Sequence, residues 1–352
     1  SSCVIFKVKK LIYTVSVTEK AKKESTTSNE LQTASMVGPK EMDGPLNQFF
    51  DLHTDDVFLG EKSFEKAESK MLEQCVNHLL SKAGMNNSMI DYIFAGDLLN
   101  QCISSGYAIR NLNIPFIGLY GACSTFCESL ALAASFVNAN YGKNIIATTS
   151  SHFCSAERQF RMPLEHGNQQ SPTSQCTVTG TGAALVVPNS SSIHSLYITH
   201  VTFGKVIDFG IKDMTNMGAA MMPAAYSTIT THLQDTKRKL DYYDAIVTGD
   251  LGILGSELLV DQFQKEGYDI SHIHKDCGVL IYDKEKQDTH CGGSGCGCMA
   301  SVFSGYFFEQ LKSKKMNKIL IVSTGALMSP LSIQQGESIP SIAHAVAIEN
   351  EV

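Results

Sequence analysis

Between Ser63 and Ala83 the apolar residues Phe64, Ala67, Met71, Leu72, Cys75, Val76, Leu79 and Leu80 recur at intervals of three and four, and Gly84 follows. That period marks one face of an α-helix, and the glycine is placed to end it. The run Asp91-Tyr-Ile-Phe-Ala-Gly-Asp97-Leu then reads as a short strand ending in Gly-Asp. Residues 114–119 read as a second, buried strand, 123–140 as an apolar helix rich in alanine and leucine, and 143–149 as a third strand. A long polar loop with Arg158, Arg161 and His166 leads to a fourth strand, 178–187, which carries Gly180 and Gly182.

The order then repeats. Asp244-Ala-Ile-Val-Thr-Gly-Asp250-Leu echoes the run at 91–98. The glycines of 292–297 open a second small-residue helix over 298–311, and 317–323 is a strand preceded by lysines, as 143–149 is. Three elements recurring in one order indicate an internal duplication. Strands alternating with helices predict mixed or mostly parallel sheets covered on both faces. Residues 1–30 are weakly patterned; a terminal strand within 4–17 followed by a polar loop is the expectation.

With 352 residues, 43% of them hydrophobic, the chain can bury two cores of ordinary size or one fused pair. A net charge of −7 argues against a sequence-independent grip on nucleic acid, while leaving room for a small basic pocket facing an acidic ligand. Many of the eleven cysteines, Cys75, Cys102 and Cys127 among them, sit in apolar runs where a reduced thiol packs as a small hydrophobe. This usage suits a reducing, cytoplasmic compartment. Cys296 and Cys298, with Cys291 and His290 nearby, lack the spacing of a zinc ribbon or finger, so no metal is expected. Lys7, Lys9 and Lys10 break the first apolar stretch, and nothing is long enough to span a bilayer. Membrane association then has to come from a partner or a surface.

The sharpest local feature is Gly121-Ala-Cys123-Ser-Thr-Phe-Cys-Glu, where a strand meets a small-residue turn and an apolar helix. This places the Cys123 thiol at a helix N-terminus, where unpaired amides and the helix dipole favour a thiolate or a bound carboxylate. The bland alternative is a small core residue at a tight turn. Thr179-Gly-Thr-Gly182 looks like part of a phosphate loop but lacks the Lys-Ser/Thr and the helix, and reads as a close-packed strand.

Gly-Ala-Cys-Ser-Thr together with the duplicated Gly-Asp strand resembles the thiolase and ketoacyl synthase superfamily. The likeness implies a duplicated α-β-α-β-α layered fold with two pseudo-symmetric halves, expected at 1–190 and 191–352. Within that superfamily, further motifs resemble the stage V sporulation protein AD family of spore-forming bacteria, over roughly 36–352. They are Gly38-Pro39, Gly44-Pro-Leu, Gly96-Asp-Leu-Leu-Asn-Gln101, Leu119-Tyr-Gly-Ala-Cys-Ser-Thr125, Ser151-His, Ala156-Glu-Arg-Gln-Phe-Arg161, Thr177-Val-Thr-Gly, Val247-Thr-Gly-Asp-Leu-Gly252, Gly292-Gly-Ser-Gly-Cys-Gly-Cys298, Ser323-Thr-Gly-Ala and Gln334-Gln-Gly-Glu-Ser-Ile-Pro340. This resemblance implies non-catalytic binding of dipicolinic acid, with calcium brought by the ligand if at all. It also implies support of that acid's uptake into the forespore, small membrane partners from the same operon, and a place on the spore inner membrane. A homodimer is implied as well, with 143–149 the candidate pairing strand.

The residues give a separate reason to doubt catalysis. A condensing enzyme needs two polar groups from the second half to bind the thioester oxygen and handle protons. Near Thr248-Gly-Asp250-Leu-Gly there is an acid and no histidine; near Asp288-Thr-His290-Cys291 one histidine remains. The alternative is an acyltransferase using Cys123 with His290. The candidate ligand-binding set is Cys123, Ser124, Thr125, Asp97, Asn100, His152, Arg158, Arg161, Asp250 and His290. Arg158 and Arg161 either clamp a carboxylate or pair with Glu157 and Glu165 on the loop surface. Asp97 and Asp250 either line the site and hold calcium, or cap the helices that follow. His152 either reaches the ligand or the thiol, or is packed.

Overall fold

The computed structural model describes residues 13–15, 33–161, 171–188 and 196–350. The expected division at 190/191 and most of the 1–30 segment lie outside them; Tyr13–Val15 forms a short strand.

In the first half, β1 (Thr33–Val37) is followed by α1 (Phe64–Ala83), β2 (Tyr92–Gly96), α2 (Ile103–Leu112), β3 (Phe116–Gly118), α3 (Thr125–Asn138), β4 (Ile145–Ser151) and β5 (Gly180–Pro188). The second half carries β6 (Leu196–Phe203), α4 (Met217–Thr236), β7 (Ala245–Thr248), α5 (Gly252–Lys265), β8 (His274–Asp276), α6 (Cys296–Val302), β9 (Lys318–Ala326) and β10 (Ser341–Glu349). Local chemistry sets the ends. The Ser63 hydroxyl caps α1 by accepting the Lys66 amide, and Gly84, at φ 63°, closes it in the left-handed region.

Strand order shows the duplication directly. The first half runs β3-β2-β4-β5-β1 and the second β8-β7-β9-β10-β6, with Tyr13–Val15 pairing both β5 and β6. In each half the first three strands are parallel and the last two pairings antiparallel. Helix α3 is apolar nearly all round, as a helix covered on every side must be. Its Phe126, Leu130, Ala133, Ala134 and Val137 are buried, and it touches strands of both sheets. Helices α1 and α4 cover the two outer faces. The result is the layered α-β-α-β-α arrangement.

Two expectations change. The strand at 114–119 is not buried: β3 is the outer edge of its half, paired only with β2 among the described residues, and Phe116 is 38% exposed. The strand at 143–149 is not an edge. As β4 it lies between β2 and β5 with both hydrogen-bonding sides occupied, so it cannot pair with a second subunit. No helix among the described residues is long and apolar enough to cross a membrane.

The glycines of β5 are packing residues, as the strand reading of 179–182 has it. A Cβ on Gly182 would stand 2.0 Å from the Ala300 carbonyl oxygen on α6. Both partners are backbone, so neither can yield cheaply. Gly182→Ala is expected to destabilise the fold by about 1–3 kcal/mol, read as a lower urea midpoint at unchanged slope.

Candidate functional site

The turn before α3 is built from its own short side chains. Ser124 Oγ donates to the Gly121 carbonyl at 2.6 Å, and Thr125 Oγ1 donates to the Ala122 carbonyl at 2.6 Å while accepting the Gly121 amide at 3.0 Å. Ala122 sits at φ 51°, a strained position for a residue with a Cβ. These contacts aim Cys123, 1% exposed, inward at the start of a 14-residue helix. The hydroxyls of Ser124 and Thr125 therefore hold the turn.

Across the seam stands Asp250, just past the end of β7 and wholly buried. Its Oδ1 accepts the Thr324 hydroxyl of β9 at 2.6 Å. The Cys123 thiol and the Gly295 amide also face this carboxyl and hold its pKa down, but burial outweighs them and pushes it up to about 6. Oδ2 is buried with no hydrogen bond in normal geometry. Asp250 does not cap α5. Asp276 does: it accepts the amides of Leu251 at 2.9 Å and Gly252 at 3.0 Å, and the Thr248 hydroxyl at 2.6 Å. Burial pushes Asp276 up to about 7, with the Asp250 charge adding to it.

Asp97, the twin of Asp250, is spent on its own loop. Its Oδ1 accepts the Leu99 amide at 2.8 Å, and its Oδ2 accepts the amide and hydroxyl of Ser105 at 2.8 and 2.7 Å. This is the capping outcome, and it leaves Asp97 ill placed as a calcium ligand. Near it lies Glu68 of α1, fully buried between the hydroxyls of Ser150 (2.9 Å) and Ser155 (2.8 Å). Burial, and after it the Asp97 charge, push Glu68 up to about 8.

The remaining candidates are scattered. His152 is buried with both ring nitrogens engaged: Nδ1 accepts the Cys154 amide at 3.3 Å and Nε2 meets the Val57 carbonyl at 2.7 Å. It is a neutral packed histidine, held below the usual imidazole range by burial. Arg158 is exposed and pairs with Glu65, not with Glu157, whose carboxylate accepts the Thr177 hydroxyl at 2.9 Å. The side chain of Arg161, and Glu165, lie outside the described residues. Asn100 is exposed, and its amide donates to Gln159 at 3.2 Å. The His290 ring faces Asp288 at 3.6 Å near the surface. Cys291, Cys296 and Cys298 do not converge: their thiols donate to the carbonyls of Pro172, Ser150 and Gly249. No cluster among the described residues is arranged to hold a metal ion.

Sequence reasoning missed Thr324, Gly295, Asp276 and Tyr120. Tyr120 is 47% exposed, yet burial of its hydroxyl and the nearby Cys296, Cys123 and Cys102 thiols push its pKa up. The signal for it lay in plain view, an aromatic three residues before the cysteine. A cavity of about 760 Å³ lined by Leu233, Arg238, Phe263 and His272, among others, includes none of the site residues.

A cysteine turned inward at a central helix, between two sheets of repeated topology, defines a thiolase-like protein. The fold agrees with solved structures. 3-Oxoacyl-[acyl-carrier-protein] synthase III of Aquifex aeolicus VF5 matches with a TM-score of 0.54 at 12% identity, over 90% of this chain and 98% of that one. The priming β-ketosynthase of the R1128 polyketide pathway matches with 0.54 at 14%, over 89% and 94%. The family profile of Stage V sporulation protein AD matches residues 19–349. Stage V sporulation protein AD of Bacillus subtilis (strain 168) is 46% identical over 312 residues, covering 89% of this chain and 91% of that protein. The chain belongs to the stage V sporulation protein AD family.

Glu68 makes the site's acid cluster measurable. Its folded pKa lies above its unfolded one, so its contribution to stability is full below about pH 4.5 and is lost as pH rises through about 8. Wild-type stability is expected to fall between pH 6 and 8 by about 2 kcal/mol more than that of Glu68→Gln, measured by urea unfolding at each pH.

Proposed function

We propose that this chain is a non-catalytic binding protein of sporulation that takes dipicolinic acid and supports its uptake into the forespore. Family membership supports the sporulation role. The observation that carries the non-catalytic part is the Asp250 carboxyl facing Cys123. Acyl transfer needs a thiolate and donors to the thioester oxygen. An ionised carboxylate at the thiol opposes both, because it favours the protonated sulfur and repels an oxyanion. The dipicolinate reading is tested by isothermal titration, with saturable binding expected; no heat at millimolar ligand removes it. Incubation with acyl-CoA thioesters is expected to leave the mass of Cys123 peptides unchanged. An acyl–sulfur adduct there would establish the acyltransferase reading instead.

The same proposal includes a homodimer, acting beside small membrane proteins of its operon at the spore inner membrane. The pairing edge is β3 rather than β4. Pro115 O and Leu119 N bond β2, so by alternation the backbone groups of Phe116 and Gly118 face outward and are available. Phe116→Pro removes one outward amide and an exposed ring while leaving the β2 pairing intact. Light scattering at micromolar concentration is expected to give the dimer mass for the wild type and the monomer mass for this variant. A monomeric wild type refutes the dimer.

A further inference from the structure

Away from the seam, the ammonium of Lys40 is held against a cysteine. Lys40 stands on the short helix Pro39–Met42, and its Nζ donates to the Cys176 sulfur at 3.5 Å and to the Asp288 carbonyl at 3.1 Å, with the Tyr282 ring centre 5.8 Å away. Both partners are pinned through their main chain. The Gln287 side-chain amide donates to the Lys40 carbonyl at 2.7 Å. The Cys176 amide donates to the Gly292 carbonyl at 2.8 Å, and Cys176 pairs with Gly293 of the second half. Cys176 is 3% exposed, but Lys40, the side chain against its sulfur, is itself exposed, so a small oxidant needs only that side chain to swing aside. A lysine ammonium beside a thiol favours the thiolate, the form that a peroxide oxidises. Cysteines at the seam have the opposite surroundings: burial pushes the thiols of Cys127, Cys277 and Cys298 up, and neighbouring acids add to it.

We infer that Lys40 and Cys176 form an oxidative modification site, at which a peroxide converts Cys176 to a sulfenic acid and the Lys40 amine captures it as a covalent S–N crosslink, a sulfenamide. In the first step the Cys176 thiolate attacks the peroxide. An S–O bond forms, the O–O bond breaks, sulfur gives up two electrons, and the departing hydroxide leaves as water with the proton the thiol lost. In the second step the unprotonated Lys40 amine attacks sulfur. The S–N bond forms, the S–O bond breaks, and hydroxide leaves as water with one amine proton. One thiol, one amine and one hydrogen peroxide thus give the crosslink and two waters. The S–N bond is roughly half the present separation, and the flexible four-carbon stem of the lysine supplies the movement. The bond joins positions 136 residues apart and ties the helix Pro39–Met42 to the strand that pairs with the second half. The neighbouring Gln175 amide donates to the Asp250 and Gly293 carbonyls at 2.7 and 3.2 Å, so the crosslink also fixes the chain behind Asp250.

The test treats the full chain with a few equivalents of hydrogen peroxide and reads its peptides by mass spectrometry. The expected product joins the Lys40 and Cys176 peptides at their summed mass less about 2 Da, and dithiothreitol reverses it. It forms faster at about pH 8.5 than at about pH 7, because only an unprotonated amine attacks. Without reductant it raises the urea midpoint, since the unfolded chain stays looped. Lys40→Arg keeps a cation at the sulfur but offers no amine, so its Cys176 is expected to be labelled by dimedone as the sulfenic acid with no crosslink. Lys40→Met removes the cation as well, and dimedone labelling of Cys176 is expected to fall about tenfold. Lys40 is exposed, so both variants are expected to fold, as checked by circular dichroism. Wild-type Cys176 carried on to sulfinic acid with Lys40 free, a disulfide from Cys176 to another thiol, or an oxygen retained in the joined peptide each overturns the inference. So does a wild-type Cys176 that stays reduced.

Discussion

The site is organised by one contact, the Asp250 carboxyl against the Cys123 thiol across the seam between the halves. It exists because another acid does Asp250's ordinary work. A carboxylate following a strand usually accepts the amides that open the next helix. Here Asp276, 26 residues on, takes the Leu251 and Gly252 amides and the Thr248 hydroxyl, and Asp250 is left to turn inward. Burial then keeps both acids weak.

That contact needs the halves to approach to backbone distance. Gly325, at the end of β9 beside Thr324, has the Gly121 carbonyl where its own Cβ would be, 2.1 Å away. Any side chain there would push the end of β9 off the cysteine turn and take Thr324 with it. Ser323 adds a second tie: its amide and hydroxyl both donate to the Cys127 sulfur, at 3.3 and 3.0 Å. The geometry of the thiol and the acid is thus set by main chain on both sides. This is why neither group depends on a mobile side chain for its place.

Much of this architecture was legible in the chain. The helix at 64–83, the cysteine helix and the repeated Gly-Asp strands follow from periodicity and small-residue turns, and the strand order carries the repeat through. What was not legible is which strand is buried. Both 114–119 and 143–149 are short and apolar, and pattern alone does not say which one has a neighbour on each side. The site residues were read less well for a related reason. His152, Arg158 and His290 have the right chemistry for a ligand site, but His152 and Arg158 are used by partners distant in sequence, the Val57 carbonyl and Glu65, and His290 faces its near neighbour Asp288 on a surface turn. Thr324 and Gly295 carry no local sign of their role, since each matters only through the fold that brings it to Asp250.

The twin Gly-Asp ends make the point most sharply. Asp97 and Asp250 stand at equivalent strand ends in nearly the same local sequence, and local reasoning treats them alike. Asp97 finds Ser105 and the Leu99 amide and becomes a cap. Asp250 finds those duties taken and faces a thiol instead. A duplicated fold supplies two copies of every strand end but only one seam, and the halves meet it from opposite sides. Equivalent residues therefore receive different neighbours, and one copy is released from structural duty. In this chain the released copy is an acid, so the fold's cysteine elbow stands against a hydrogen-bond acceptor from the other half.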